Sequence, residues 1–367
     1  MKRARLASLD AVRAFACLAV LAYHMHLVHF GHLGVALFFV MGGFLSVYNH
    51  LGDESMENPT LKGSIAYSHK RIAKLYPLYF VGLLIPFAGQ VYGAVNHLIS
   101  VDRVLLKLAA NVLAVQAWIP INEIYFSLNG PAWYLSAIAF CYFAFPWLLK
   151  KFEKFRNTRA AFGVACAIWL AQIAIGFAGE WLYDLLAVPD ENLRRDFCSW
   201  LTYVFPVFRF GDFAVGGCAA YIFLNRNAER GSKRAWTWAE LGAIALAALA
   251  EYGFEHSKLP FNDTSAYLPA CVAVIYVFAV NKGSISQALT NKVTKHIAGI
   301  STELFLTHAV VIFACSPVIT SLPISGGAQK AIYVIAIPIL SYIASLAGRR
   351  FNAAFARRAG KDKAGTA

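Results

Sequence analysis

An apolar run over residues 9–30 constrains this chain more than any other feature. It is long enough to cross a bilayer, yet it carries Asp10, Arg13 and His24. An ionisable side chain costs about 2.5–3.5 kcal/mol at the centre of a membrane helix, so such residues usually have a function there. Arg13 and His24 are eleven residues apart, which on a helix is about three turns and about 16 Å. The spacing predicts that both side chains leave the same face of the first helix.

Composition places the chain among polytopic membrane proteins with an all-α transmembrane bundle. The 367 residues are 59% hydrophobic and 14% charged, with a mean hydropathy of +0.54. Soluble domains carry about 25% charged residues. The net charge of +13 comes mostly from Lys and Arg in short loops between apolar runs. This pattern is typical of the positive-inside rule and does not indicate nucleic-acid binding.

Apolar runs predict about ten spans in one membrane domain over residues 1–350. Most Lys and Arg residues then lie on one side, which predicts cytoplasmic termini and a basic, disordered cytoplasmic tail over 351–367. The predicted spans are 9–30, 33–51, 76–97, 131–149, 160–178, 201–224, 235–253, 264–281, 297–315 and 328–347.

Two segments need a separate interpretation. Residues 101–120 are apolar but carry Asp102, Arg103 and Lys107, and counting them as a span would weaken the charge asymmetry. We therefore expect a re-entrant or interfacial element there. The N-terminal run resembles a signal peptide, but its charged interruptions and the lack of a small-residue cleavage site favour an uncleaved first span.

His24 is the strongest candidate for catalysis. A histidine can take a proton from a hydroxyl and release it again near neutral pH, or it can carry an acyl group. The alternative is a core histidine bonded to a neighbouring carbonyl. For Arg13, the alternative is an anchor at the cytoplasmic surface. Asp10, one turn earlier, is expected to pair with Arg13 and orient it.

A second candidate element opens the third predicted span. Arg71 and Lys74 are three residues apart, so they share a helix face, and Tyr76 follows them. Cations beside the unpaired N–H groups of a helix start can receive an anion such as a nucleotide phosphate. The alternative is a positively charged anchor next to an aromatic belt.

Three further features carry ionisable side chains. Arg209 and Asp212 form an intramembrane pair, either an internal ion pair or part of an acceptor site, and His308 is a polar residue facing the bundle. Three histidines lie at three-residue spacing, a pattern that also occurs in metal sites. No carboxylate or thiolate lies beside them, so we expect a wet rim and no metal. These histidines are His26, His29 and His32.

Taken together, these segments resemble the acyltransferase-3 family of bacterial integral-membrane O-acyltransferases. Arg13 and His24 match its signature of an arginine, a ten-residue gap and a histidine. The stretch from Arg71 through Lys74 and Tyr76 is similar to its basic element. The other resemblances are the second-span motif at 34–45, the tryptophan motif with Trp133 and Ser136, and the Arg209 and His308 segments, all in the family's order.

The resemblance implies a multi-pass enzyme of the bacterial cytoplasmic (inner) membrane. Its co-substrate would be acyl-CoA, usually acetyl-CoA, without a tightly bound cofactor. Its acceptor would be a hydroxyl of a cell-surface glycan or a lipid-linked sugar. In the family, residues matching Arg13 and His24 are needed for activity, and the element matching Arg71 is associated with the donor.

Two other classes of function remain as alternatives. A polytopic transporter or flippase would also place polar residues inside its spans, although it would be expected to show internal repeats, which the sequence lacks. A scaffold in a polysaccharide-export complex is the other alternative. The acceptor sugar, the acyl chain and the oligomeric state, with a homodimer as one alternative, stay open.

Overall fold

The computed structural model describes residues 3–56, 58–186, 190–226, 231–256 and 265–364, and the fold within these ranges is all-α without strands. Three short 3-10 turns and one π-helical turn, Trp200–Val204, connect the helices. The helices are α1 Leu9–His24, α2 Gly31–His50, α3 Leu61–Ile72, α4 Tyr76–Val95, α5 Val101–Val112, α6 Asn122–Tyr125, α7 Trp133–Glu153, α8 Thr158–Leu185, α9 Glu191–Ser199, α10 Pro206–Asn225, α11 Lys233–His256, α12 Leu268–Val280, α13 Ser284–Leu289, α14 Lys292–Thr320 and α15 Gly326–Ala364.

Each of the ten predicted spans overlaps a helix, and residue 264 of the span 264–281 lies outside the described residues. Among the described residues, seven helical segments are long and apolar enough to cross a membrane. Of the helices that overlap the ten predicted spans, α1, α11 and α12 are outside this set. Helix α1 has 16 residues and α12 has 13, which is about 24 Å and about 20 Å. A bilayer core is about 30 Å thick, so the count of ten spans remains a prediction.

The first helix is shorter than its apolar run. It ends at His24, because His26 adopts a left-handed backbone with φ of 57° and the Leu27 N–H bonds the Ala22 carbonyl. The chain then reverses into α2 at Gly31, where a Cβ would collide with the Tyr23 ring. The predicted span 9–30 is therefore wrong at its C-terminal end, and His24 lies on the last turn of α1.

The pairing of α2 with α10 forms much of the core. A Cβ on Gly43 would overlap the Phe213 carbonyl, and a Cβ on Gly216 would overlap the Val40 carbonyl. The two glycines therefore let the helix backbones approach each other closely, as small residues do in membrane bundles.

The segment after α4 turns back along it. Tyr79 Oη donates to the Asn111 carbonyl at 2.7 Å, and Asn111 Nδ2 donates to Ser127 Oγ at 2.7 Å. Gln116 Nε2 donates to the Ala132 carbonyl at 3.1 Å. The 12 residues of α5 extend about 18 Å, too short to cross a bilayer, so these internal bonds satisfy polar groups of a segment that folds back.

The C-terminal region is helical over most of the predicted tail of 351–367. Helix α15 continues through residue 351 to Ala364. Ala, Arg and Lys dominate this stretch, and all three have high intrinsic helix propensity, which explains the continuation. Residues 365–367 of the predicted tail lie outside the described residues.

We predict that Gly216→Ala lowers the melting temperature of the detergent-purified protein, because the added methyl group must displace the Val40 carbonyl. Overpacking of this kind costs about 1–3 kcal/mol. Gly242→Ala on α11 is the control, since a Cβ there meets nothing within 4 Å. A Gly216→Ala protein that melts at or above the control temperature would contradict the close contact.

Candidate active site

A cavity of about 260 Å³ lies among α1, α2, α7, α14 and the junction of α3 with α4. Arg13, Arg71 and Lys74 all line it, so the structure brings together two elements that are far apart in sequence. Its described lining contains no carboxylate, which gives the cavity a net positive charge. The remaining lining residues are Phe38, Met41, Gly42, Ile72, Leu75, Tyr134, Leu135, Ile138, Tyr142, Ser301, Thr302, Phe305 and Leu306.

None of the three cations forms a salt bridge with another described residue. The Arg71 guanidinium lies over the rings of Tyr67 and Tyr142, 4.4 and 5.1 Å from their centroids. Ring faces hold the guanidinium without using up its N–H donors at carboxylates. The cavity is therefore suited to an anionic ligand.

Asp10 does not orient Arg13 in the way that the sequence predicted. Its carboxylate pairs with Arg5, with Oδ2 2.5 Å from the Arg5 nitrogen. Arg5 precedes the helix and can reach the carboxylate on the first turn, whereas Arg13 is directed into the cavity. The pairing of Asp10 with Arg13 is wrong, and Arg13 remains available to a ligand.

His24 lies against His308 of α14. His308 Nε2 is 3.3 Å from His24 Nδ1, and the ring centroids are 5.0 Å apart. Between Arg13 and His24, the Cys17 thiol donates to the Ser301 carbonyl of α14 at 3.2 Å. The structure thus confirms that Arg13 and His24 share one face of α1, and α14 is the helix that covers that face.

Aromatic rings surround the histidine pair on the side of α2, α7 and the π-helical turn. The edge of Tyr23 meets His24, with centroids 5.4 Å apart, and Tyr23 Oη lies 3.4 Å from His32 Nε2. The His32 ring packs on Tyr203 at 4.7 Å, and Tyr203 packs on Trp133 at 4.9 Å. Trp133 therefore belongs to the aromatic wall beside His24 rather than to the cationic cavity.

Three rings that line the cationic cavity contact one another, and we call Phe38, Tyr134 and Phe305 the aromatic barrier. Their centroids lie between 5.2 and 6.0 Å apart. Phe305 also packs on the His308 ring at 5.9 Å. His24 and His308 do not line the cavity. Phe305 is therefore the ring of the barrier that contacts both the cavity and the histidine pair.

Arg209 and Asp212 form a fully buried ion pair on α10, with Arg209 nitrogen 2.9 Å from Asp212 Oδ2. Gln172 donates to Asp212 Oδ1 at 2.8 Å, and Phe39 lies under the Arg209 guanidinium at 4.4 Å. Neither residue lines the cationic cavity. Of the two predicted interpretations, these contacts favour an internal ion pair.

Two other predicted site residues lie away from the cavity. Tyr76 packs on Tyr79 and lines a separate apolar groove with Phe351 and Phe355. Ser136 is buried one turn after Trp133, and its Oγ has no hydrogen-bond partner among the described residues. No grouping of three His, Cys, Asp or Glu side chains suited to a metal occurs within the described ranges.

Sequence reasoning missed the aromatic barrier. Phe38, Tyr134 and Phe305 lie on three helices, and each is one aromatic residue among the 28 Phe and 17 Tyr of the chain. Their spacing along the sequence carries no signal that they meet. His32 was noticed only as part of a histidine run, and its contact with Tyr23 depends on the tight turn between α1 and α2.

Comparison with known proteins shows the family of the chain. The profile of the acyltransferase-3 family, described as Acyltransferase domain, matches residues 6–348, and the chain belongs to that family. It is similar to acyltransferase MdmB of Streptomyces mycarofaciens, at 26% identity over 333 residues, which covers 84% of this chain and 79% of the relative. No solved structure matches the chain. The family membership favours acyl transfer over the transporter and scaffold alternatives.

We predict that Asp212→Asn destabilises the protein more than the double variant Arg209→Met with Asp212→Leu. The single change leaves the Arg209 charge buried without a counter-charge, which costs about 3–5 kcal/mol, whereas apolar replacement of a whole buried pair is often tolerated. Thermal unfolding in detergent gives the melting temperatures of the single and the double variant. Equal melting temperatures for Asp212→Asn and the wild type would show that the ion pair is not a stabilising constraint.

Proposed function

We propose that this protein transfers an acyl group, acetyl in the simplest case, from cytoplasmic acyl-CoA to a hydroxyl of a cell-surface or exported glycan. The single observation that carries the proposal is that α1 and α14 bring a cationic cavity and a pair of histidines close together. A cavity with three cations and no carboxylate among its described lining is joined through the Phe305 ring to a pair of histidines. Family membership supports acyl transfer, and the name of the relative MdmB is that of an acyltransferase.

The cationic cavity is the proposed donor site. Acyl-CoA carries phosphate groups, and Arg71 and Lys74 supply charge for them at the mouth formed by α3 and α4. At about 260 Å³ the cavity is slightly smaller than typical ligand pockets of about 300–1,000 Å³, so it holds part of the donor. Arg13 lines the same cavity from α1 and is placed to contact the pantetheine arm or the thioester.

The proposed chemistry takes place at His24. Its imidazole removes the proton from the acceptor hydroxyl while the oxygen attacks the thioester carbonyl, so that a C–O bond forms and the C–S bond breaks. The proton then moves from His24 to the departing thiolate, which leaves as a thiol. In the covalent alternative, His24 attacks the thioester first, the C–S bond breaks and the CoA thiolate leaves. The hydroxyl oxygen then takes the acyl group from His24, and its proton goes to the thiolate.

The membrane arrangement supports access from two sides. We propose ten spans with both termini in the cytoplasm of a bacterial inner-membrane protein, since most cations then follow the positive-inside rule. Arg13 is then closer to the cytoplasm than His24 by about 16 Å. The donor would approach from the cytoplasm, and the glycan acceptor would reach His24 from the opposite face.

The test is transfer of labelled acetyl from acetyl-CoA to membrane glycan by purified protein reconstituted in lipid. We expect His24→Ala to lower transfer by about 10²–10⁴-fold, the usual contribution of a general base, while acetyl-CoA binding persists. Arg71→Gln should instead weaken acetyl-CoA binding. Lys70→Gln is its matched control, because Lys70 is a neighbouring exposed cation that does not line the cavity.

Wild-type transfer rates in His24→Ala would refute the role of the histidine. Acetyl-CoA binding that is equally strong in Arg71→Gln and Lys70→Gln would refute the donor site. Label retained on His24 after acid quenching, and lost on adding acceptor, would select the covalent alternative.

We predict that Phe305→Ala raises the acceptor-independent hydrolysis of acetyl-CoA relative to transfer. Removing this ring opens the aromatic barrier, so water from the cavity reaches the histidine pair. The matched control is Phe313→Ala on the same helix, where the ring is 51% exposed at the periphery. The release of CoA without acceptor measures the effect. Unchanged release in Phe305→Ala would show that the barrier does not control access.

A further inference from the structure

The two histidines at the candidate active site constrain each other's protons. His24 Nδ1 lies 2.8 Å from the Val20 carbonyl, and His308 Nδ1 lies 3.1 Å from the Leu304 carbonyl. A carbonyl oxygen only accepts hydrogen bonds, so each Nδ1 must carry a hydrogen to make its contact. In the neutral rings, Nε2 is then the bare nitrogen.

The backbone contact alone does not distinguish His24 from other histidines. His50 and His256 make the same bond to the carbonyl four residues earlier, at 2.9 Å in both cases. The distinguishing contact is the one between the rings, where His308 Nε2 lies 3.3 Å from His24 Nδ1. With Nδ1 protonated in both rings, the bare Nε2 of His308 faces the N–H of His24 and accepts from it.

We infer that His308 is a positioning residue that holds the hydrogen of His24 on Nδ1, so that Nε2 of His24 is the atom that reacts. The inference rests on the proposed function for the role of that atom in acyl transfer. The Nδ1 hydrogen of His24 is shared between the Val20 carbonyl and His308 Nε2, which disfavours the tautomer with hydrogen on Nε2. Among described residues, no partner for His24 Nε2 is seen, so this nitrogen is free to meet a hydroxyl.

The surroundings of His308 suit an imidazole that stays neutral and accepts a hydrogen bond from His24. His308 is 1% exposed, and the groups that face the histidine pair are Phe305 on α14, Tyr23 on α1 and His32 on α2. None of these supplies a negative charge. When His24 Nε2 takes the hydroxyl proton, the resulting imidazolium still donates from Nδ1 to His308. On returning that proton to the thiolate, His24 regains the same tautomer without moving any other hydrogen.

Two amide substitutions of His308 separate positioning from packing. The oxygen of Gln can occupy the place of the imidazole Nε2 and accept from His24, whereas the shorter Asn reaches only the place of Nδ1. We expect His308→Gln to retain acyl transfer within about threefold. We expect His308→Asn and His308→Phe, whose ring is also planar but apolar, to lose about tenfold or more, part of the 10²–10⁴-fold that a general base contributes.

The tautomer is measured without any reaction. Nitrogen-15 NMR of histidine-labelled protein in lipid distinguishes protonated from bare ring nitrogens, and the His24 signals are assigned by their loss in His24→Ala. We expect hydrogen on Nδ1 in the wild type and in His308→Gln, and a mixture of tautomers in His308→Asn and His308→Phe. This spectrum tests the position of the His24 hydrogen even if acetyl-CoA is not the donor and no transfer is seen.

Hydrogen on Nε2 of His24 in the wild type would overturn the inference, whatever the transfer assay shows. Equal loss of transfer in His308→Gln and His308→Asn would also overturn it, because packing would then explain both. If either low-activity variant fails to fold, the spectrum of the wild type and of His308→Gln decides the question.

Discussion

The packing of α1 against α14 is the contact on which the candidate site depends. It places Ser301 beside Cys17 and His308 beside His24, so that one face of α1 is covered along the length that separates Arg13 from His24. The start of α14 is held by an Asn291 capping box, which sets where the long helix begins. A rotation of either helix would move the histidine pair and the cationic cavity together.

The fully buried Arg209 and the half-buried Arg13 and Arg71 have opposite surroundings in this bundle. Arg209 is fully buried, and its charge is balanced by Asp212 and covered by Phe39. Arg13 and Arg71 have no carboxylate partner among the described residues and face a cavity. A buried cation is expensive unless it is paired, so paired charges fit a structural role and unpaired charges beside a cavity fit ligand binding. The presence or absence of a carboxylate partner therefore separates Arg209 from Arg13 and Arg71, which are all candidate site residues in the sequence.

Sequence reasoning predicted the helices better than their ends. Apolar length located all ten runs, because a span needs a long stretch without exposed backbone polarity. It extended the first run to residue 30, since Leu27 and Phe30 are apolar, and could not foresee that His26 would turn the chain. It also paired Asp10 with Arg13 by helical spacing, although Arg5 reaches the same carboxylate from outside the helix. Helical spacing predicts a salt bridge wrongly when a residue outside the helix reaches the same carboxylate.

The sequence by itself determined an all-α membrane protein and the shared face of Arg13 and His24, because helical periodicity and bilayer thickness are properties of one segment. It also identified the family through motifs in order. Only the tertiary structure decided that Arg71 and Lys74 join Arg13, that Tyr76 does not, and that His308 meets His24. These contacts join helices far apart along the chain. They arise from how the side chains of several helices pack around one another, which no single segment encodes.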